Sequence, residues 1–239
     1  MMASLGRTSN FLSLKSLSLM SNTNKIKDTI NNLTAKYDKT SWKDIISAMF
    51  KTEEFELALN QLMSDVQAGQ PFTPLIKNIF KSYDLCALED VKVVFVTSHP
   101  NPDKGVSDGL AFSGYDNPFY LTLNNKADGK VDGYSLSYLP QNEGVMLLTA
   151  ALTCPEGKPT DHLPMWTPLT EKLIKAISYR TVKTIFVFVG EEVEYLAENV
   201  GKHHLKFFLP TVGENWDPGD AFENINKALI KLEKKPVNW

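Results

Sequence analysis

The sequence predicts an α/β fold with a central four-stranded parallel sheet and helices on both faces. Four apolar runs have strand length and are rich in strand formers: Val91 to Val96, Val145 to Leu148 continuing towards Thr153, Ile185 to Val189, and Leu205 to Leu209. Amphipathic helical patterns alternate with them, and strands alternating with helices build parallel sheets covered on both faces. With 239 residues and 43% apolar content, the chain can bury one sizeable core.

Taken in order, residues 1–40 form an N-terminal extension and 41–239 the folded domain. Up to Lys27 the chain carries Arg7, Lys15, Lys25 and Lys27 but no acid, with many serines among Leu5, Phe11, Leu12, Leu14, Leu17 and Leu19. This composition resembles an organellar transit peptide, but the plainer reading is a disordered tail or an upstream extension of a chain that starts at Met20. Ser41-Trp42-Lys43-Asp44 reads as a capping box, followed by helical apolar residues Ile45, Ile46, Phe50, Phe55, Leu59, Leu62 and Met63. Gln70 to Pro74 breaks that pattern. The strand at Val91 to Val96 then runs into a loop rich in proline and glycine.

Further on, Thr167 reads as a helix cap with Pro168 at the first helical position and Leu169, Leu173 and Ile177 as the buried stripe. Val193 to Val200 reads as a helix ended by a left-handed Gly201. Phe222, Ile225, Leu229 and Leu232 form a last helical stripe before Pro236. In such a sheet the binding site is expected beyond the carboxyl ends of the strands.

Composition narrows the partners. A net charge of -3 argues against whole-surface attraction to nucleic acid, so any such contact needs a local basic patch. Cys86 and Cys154 have no metal-ligand spacing, so neither a disulfide framework nor a metal or cofactor site is expected, and a reducing intracellular setting fits. No apolar stretch approaches the roughly 20 residues needed to cross a bilayer, so no membrane partner is expected.

The segment Val93 to Ser113, an apolar strand followed by Ser98-His99-Pro100-Asn101-Pro102 and then Gly109-Leu110-Ala111-Phe112-Ser113, resembles the first signature of the uracil-DNA glycosylase family, G-Q-D-P-Y-H-G-P-G-Q-A-H-G-L-A-F-S. Further landmarks follow in family order: Gly144 to Thr153, His162 and Trp166, Val187 to Gly190, His203-His204, and the closing Lys235-Pro236-Val237-Asn238-Trp239. The resemblance runs from about Trp42 to Trp239 and implies the family's fold for 41–239. It implies a site in which the chemistry is replaced. His99 stands where the family has the aspartate that stabilises a cation-like sugar; a neutral imidazole offers no charge there and an imidazolium opposes it.

Thr149 replaces the asparagine that reads the uracil edge, and Asn101 the tyrosine that blocks a thymine methyl. Leu209 falls where the family's histidine donates to the leaving base. Ser98, Pro100 and Phe112 complete the altered pocket; Phe112 stacks on the flipped base in the family and is also readable as a core aromatic. Glu191 and Glu192 follow Gly190 where the family's glycine-serine turn meets a phosphate, and two carboxylates repel one. Glu214, Trp216 and Asp217 occupy the intercalating loop, with Trp216 the sole candidate wedge.

The expectation is a catalytically inactive homologue that binds, as a scaffold or subunit of a replication or repair complex. Its partner is expected to be a protein, with nucleic acid binding weakened, in the cytosol or on DNA, or in the mitochondrial matrix if the leader is a transit peptide. The alternatives are a glycosylase of altered base specificity using His99, with Asn101, Asp103 or Asp108 as partners, and a DNA mimic or mitochondrial assembly component. His162, His203 and His204 read as structural or surface residues.

Overall fold

The computed structural model describes residues 28, 31–32, 35–126 and 133–239, so the leader read at 1–27 lies outside it. Helices α1 (Lys43–Met49) and α2 (Glu53–Gln67) lead to β1 (Phe72–Thr73), α3 (Lys81–Leu85) and β2 (Val93–Thr97). Then come α4 (Pro118–Lys126), α5 (Tyr138–Asn142), β3 (Val145–Thr149), β4 (Cys154–Pro155) and α6 (Leu163–Arg180). Strand β5 (Ile185–Val189), a 3-10 helix (Glu191–Asn199), β6 (Leu205–Leu209) and α7 (Ala221–Lys231) complete the order.

Strands β3-β2-β5-β6 lie side by side in one parallel sheet. Alternation along each strand splits the core in two. Val94, Val96, Met146, Leu148, Phe186 and Phe188 face α1, α2 and α6, whereas Val93, Phe95, Val145, Leu147, Ile185 and Val187 face α4 and α7. Both faces are apolar because crossover helices cover each of them. Tyr37 is fully buried beside Phe80, and its hydroxyl donates to Asp84.

Several local expectations are corrected. The Ser41 hydroxyl does not cap α1; it accepts from the Leu88 amide at 2.9 Å, and the helix is preceded by Trp42 with no side-chain cap. Strand β3 stops at Thr149, and Cys154–Pro155 instead pairs antiparallel with Phe72–Thr73, because the intervening amides of Ala150 and Ala151 bond across to Thr97 and Ser98. Helix α6 begins at Leu163 with Pro164 in its first turn; Pro168 lies inside the helix, and Thr167 Oγ1 donates back to the Leu163 carbonyl. The segment read as Val193 to Val200 is a 3-10 helix, and Gly201 is not left-handed.

Two buried histidines tie distant segments together. His204 Nδ1 accepts from the Thr184 amide at 3.0 Å, and its Nε2 donates to the Ser178 carbonyl at 2.8 Å. Burial first of all holds both His162 and His204 below the ordinary imidazole value of 6.5. The unfolded chain therefore binds more protons just below pH 6.5, and stability is expected to fall as pH drops through and below that value. Urea midpoints lower at pH 5.5 than at pH 7.5 are the expected outcome, with a smaller drop in His204→Gln.

Candidate functional site

The parallel strands bring their carboxyl ends to one edge, where Thr97 lies beside Thr149, and Leu209 beside Val189. The loop leaving β2 is fixed by Asp108, whose Oδ2 accepts from Lys81 Nζ at 2.7 Å and Ser113 Oγ at 2.8 Å, while Oδ1 accepts from the Leu110 amide at 3.0 Å. Gly109 allows this course, since a Cβ there would collide with the Asn78 carbonyl. Asp108 is thereby committed to holding the loop.

His99 is partly exposed at the end of β2, and its Nδ1 donates to the Pro100 carbonyl at 2.9 Å. That oxygen also accepts from Cys154 Sγ at 3.5 Å. No hydrogen bond or ion pair joins His99 to a carboxylate among the described residues. Asn101 Oδ1 accepts from the Asp103 amide at 2.7 Å, and its side chain also bonds Tyr115. The Asn101 side chain is thus committed to its own loop and to Tyr115. Ser98 is buried, and Thr149, half-buried, faces the same edge.

Phe112 is buried and left-handed, with φ 62°, and its ring stacks on Phe119 at 4.2 Å and 17°. Asn117 Nδ2 donates to its carbonyl at 2.8 Å, holding that conformation. One face of Phe112 is therefore spent on the core. At the other half of the edge, Leu209 is buried in the same core, and its carbonyl accepts from the Gly190 amide at 2.9 Å. Trp216 Nε1 donates to the Pro210 carbonyl at 3.0 Å, and its ring packs 5.6 Å from Phe119. Glu191, Glu214 and Asp217 are exposed, with Asp217 accepting from the Gly219 amide.

Glu192 folds back over Gly190, so closely that a Cβ on that glycine would stand 2.5 Å from Oε2, and it accepts from Thr211 Oγ1 at 3.3 Å. A carboxylate of the chain itself thus lies at the start of the 3-10 helix, where free amides favour an anion. Glu192→Ser should open this end: phosphate titration is expected to move the amide resonances of residues 191 and 192 in the variant and leave them in place in the unmodified protein.

Sequence reading missed a network at the side of this edge. His162 Nε2 bonds Asp65 Oδ2 at 2.8 Å, His162 Nδ1 bonds Thr153 Oγ1 at 2.9 Å, and Trp166 Nε1 donates to that same oxygen at 2.8 Å. Gln61 closes the chain by donating to Asp65 Oδ1 at 2.9 Å. It borders a polar recess of about 640 Å³ that also reaches Lys158 and Asp161. The His162–Trp166 spacing was the only available signal, since Asp65 is far away in sequence. Thr153 is fully buried and saturated, which suits positioning rather than nucleophilic attack. Burial pushes the Cys86 and Cys154 thiols up to about 12, so neither offers a thiolate. Among the described residues no cluster of His, Cys, Asp or Glu could hold a metal ion, and no helix is long and apolar enough to cross a membrane.

No protein-family model matches the chain. Curated relatives do: it is 24% identical over 215 residues to the uracil-DNA glycosylase of Vibrio vulnificus, covering 83% of this chain and 95% of that one. It is 26% identical over 218 residues to that of Buchnera aphidicola, covering 83% and 97%. Among solved structures, mimivirus uracil-DNA glycosylase superposes with a TM-score of 0.72 at 20% identity, over 83% of this chain and 86% of that one.

Proposed function

We propose that this chain, a relative of uracil-DNA glycosylases in sequence and in fold, does not excise uracil and works by binding a protein at the strand-end edge. His99 is the observation that carries this reading. Glycosidic cleavage develops positive charge on the sugar, and a fixed carboxylate beside it lowers that barrier. At the matching position stands an imidazole whose polar partner is a backbone carbonyl. Leu209, beside the leaving base in the resemblance, has no proton to give from its side chain. Glu192 over Gly190 and the exposed Glu191, Glu214 and Asp217 disfavour phosphate along the same edge.

A protein partner suits an acidic edge with half-buried Trp216 at its rim. A variant of the mimivirus enzyme has been solved in complex with UGI, a protein partner for a chain of this fold. A subunit of a replication or repair complex is the role that fits best. A second reading rests on His99 itself: donation from Nδ1 to Pro100 leaves Nε2 as an acceptor in the neutral ring, the tautomer of a general base acting on another base. Incubation with single-stranded oligonucleotides carrying a series of modified bases separates the two. Intact N-glycosidic bonds throughout are expected; base release that disappears in His99→Ala establishes the second reading and overturns the first.

A further inference from the structure

At the opposite end, where the strands begin, four lysines converge. Val93 pairs with Ile185, and the Ile185 amide donates to the Lys92 carbonyl at 2.9 Å, so Lys92 and the turn at Lys183 stand side by side. After α7 the chain folds back, the Lys234 amide bonding the Leu229 carbonyl, and brings Lys234 and Lys235 over them. Lys92 Nζ lies 3.2 Å from the Lys235 carbonyl and 3.8 Å from Glu143, and Lys183 Nζ lies 3.2 Å from Glu233. Lys234 feels the charges of Lys92 and Lys183, and Lys92 feels that of Lys235.

Four ammonium groups thus meet two carboxylates in contact. The backbone points to the same place. Phe112, Lys183 and Glu233 are the non-glycine residues with positive φ among those described, and the last two, at 52° and 61°, are the partners of one ion pair. Glycine would take either turn without steric cost, yet the positions hold charged side chains. Burial first, then the neighbouring lysines, hold the Lys234 ammonium below its ordinary range.

We propose that this end of the sheet, through Lys92, Lys183, Lys234 and Lys235, binds the phosphate backbone of a nucleic acid strand. An anion held among the ammonium groups relieves their repulsion, and a phosphate backbone supplies several such anions in a row. The site is independent of the strand-end edge and of whatever binds there.

Anisotropy of a labelled thymine oligonucleotide with the full chain tests this. Binding at low salt is expected, weakening roughly twenty- to fifty-fold between about 50 and 200 mM salt for three to four phosphate contacts. Lys183→Glu with Lys234→Glu should lose at least tenfold at low salt. Lys183→Gly, which relaxes the left-handed turn and keeps the fold while removing one charge, should weaken binding several-fold with no loss of thermal stability. Lys104→Glu, on the strand-end edge, should leave affinity unchanged. Absence of binding at low salt, undiminished binding in the double variant, or a loss confined to Lys104→Glu overturns the proposal. Displacement by polyglutamate at equal charge concentration overturns it in favour of an acidic protein.

Discussion

Phe119→Ala should destabilise the protein by about 3–5 kcal/mol, the range for deleting a buried aromatic ring from a close-packed core. Phe119 is fully buried at the meeting of four segments. Its ring stacks on Phe112 at 4.2 Å, meets Phe95 edge-on at 5.4 Å and Phe222 at 5.8 Å, and lies 5.6 Å from Trp216. Alanine leaves a cavity that the strand and α7 cannot close without moving, and it removes the surface that holds Phe112 in its left-handed turn. Against a typical total of about 5–15 kcal/mol, this is a large share. Urea denaturation should show a lowered midpoint at constant slope, and amides of 108–114 should exchange faster with solvent. Phe119→Leu, which refills most of the volume, should cost well under half as much. A loss below about 1 kcal/mol for the alanine variant would mean that this cluster does not fix the loop.

His162→Ala should cost about 2–4 kcal/mol, because it strands a fully buried hydroxyl on one side and leaves a half-buried carboxylate without its donor on the other. The Thr153 hydroxyl, fully buried, loses its acceptor, and Asp65 Oδ2 loses its donor. Burial holds His162 below its ordinary value even though Asp65 pulls the other way, so the neutral ring is the folded form. The stability curve of His162→Ala should therefore be flatter below pH 6.5 than that of the unmodified protein, as one of two depressed histidines is gone. His162→Gln, able to keep one of the two hydrogen bonds, should recover part of the loss. An unchanged pH profile would contradict the buried, neutral assignment.

The strands were the most legible part of the fold. Runs such as Ile185 to Val189 are β-branched or aromatic throughout, are buried on both faces, and became strands with those bounds. Boundaries set by side-chain competition were not legible. Pro164 and Pro168 are both compatible with a helix start, but the Thr167 hydroxyl bonds back to the Leu163 carbonyl and does not cap a helix ahead of it. Ser41 carries the signature of a cap, but a tertiary amide, that of Leu88, takes its hydroxyl. At the site, the sequence identified which residues stand at the strand ends, because they follow the strands directly. It could not reveal that Glu192 folds onto Gly190, that Phe119 covers a face of Phe112, or that Asp65 reaches His162, since each of these needs the third dimension. The lysine cluster was illegible for the same reason: Lys92, Lys183 and Lys234 come from three distant segments, and a net charge of -3 hides them.

The proposed absence of catalysis is tested most directly by single-turnover release of uracil from a single-stranded oligonucleotide, with the protein in excess and an active glycosylase run in parallel. No release above the protein-free control over several hours is the predicted result. Release at a rate that scales with protein concentration and is abolished by His99→Ala would contradict it.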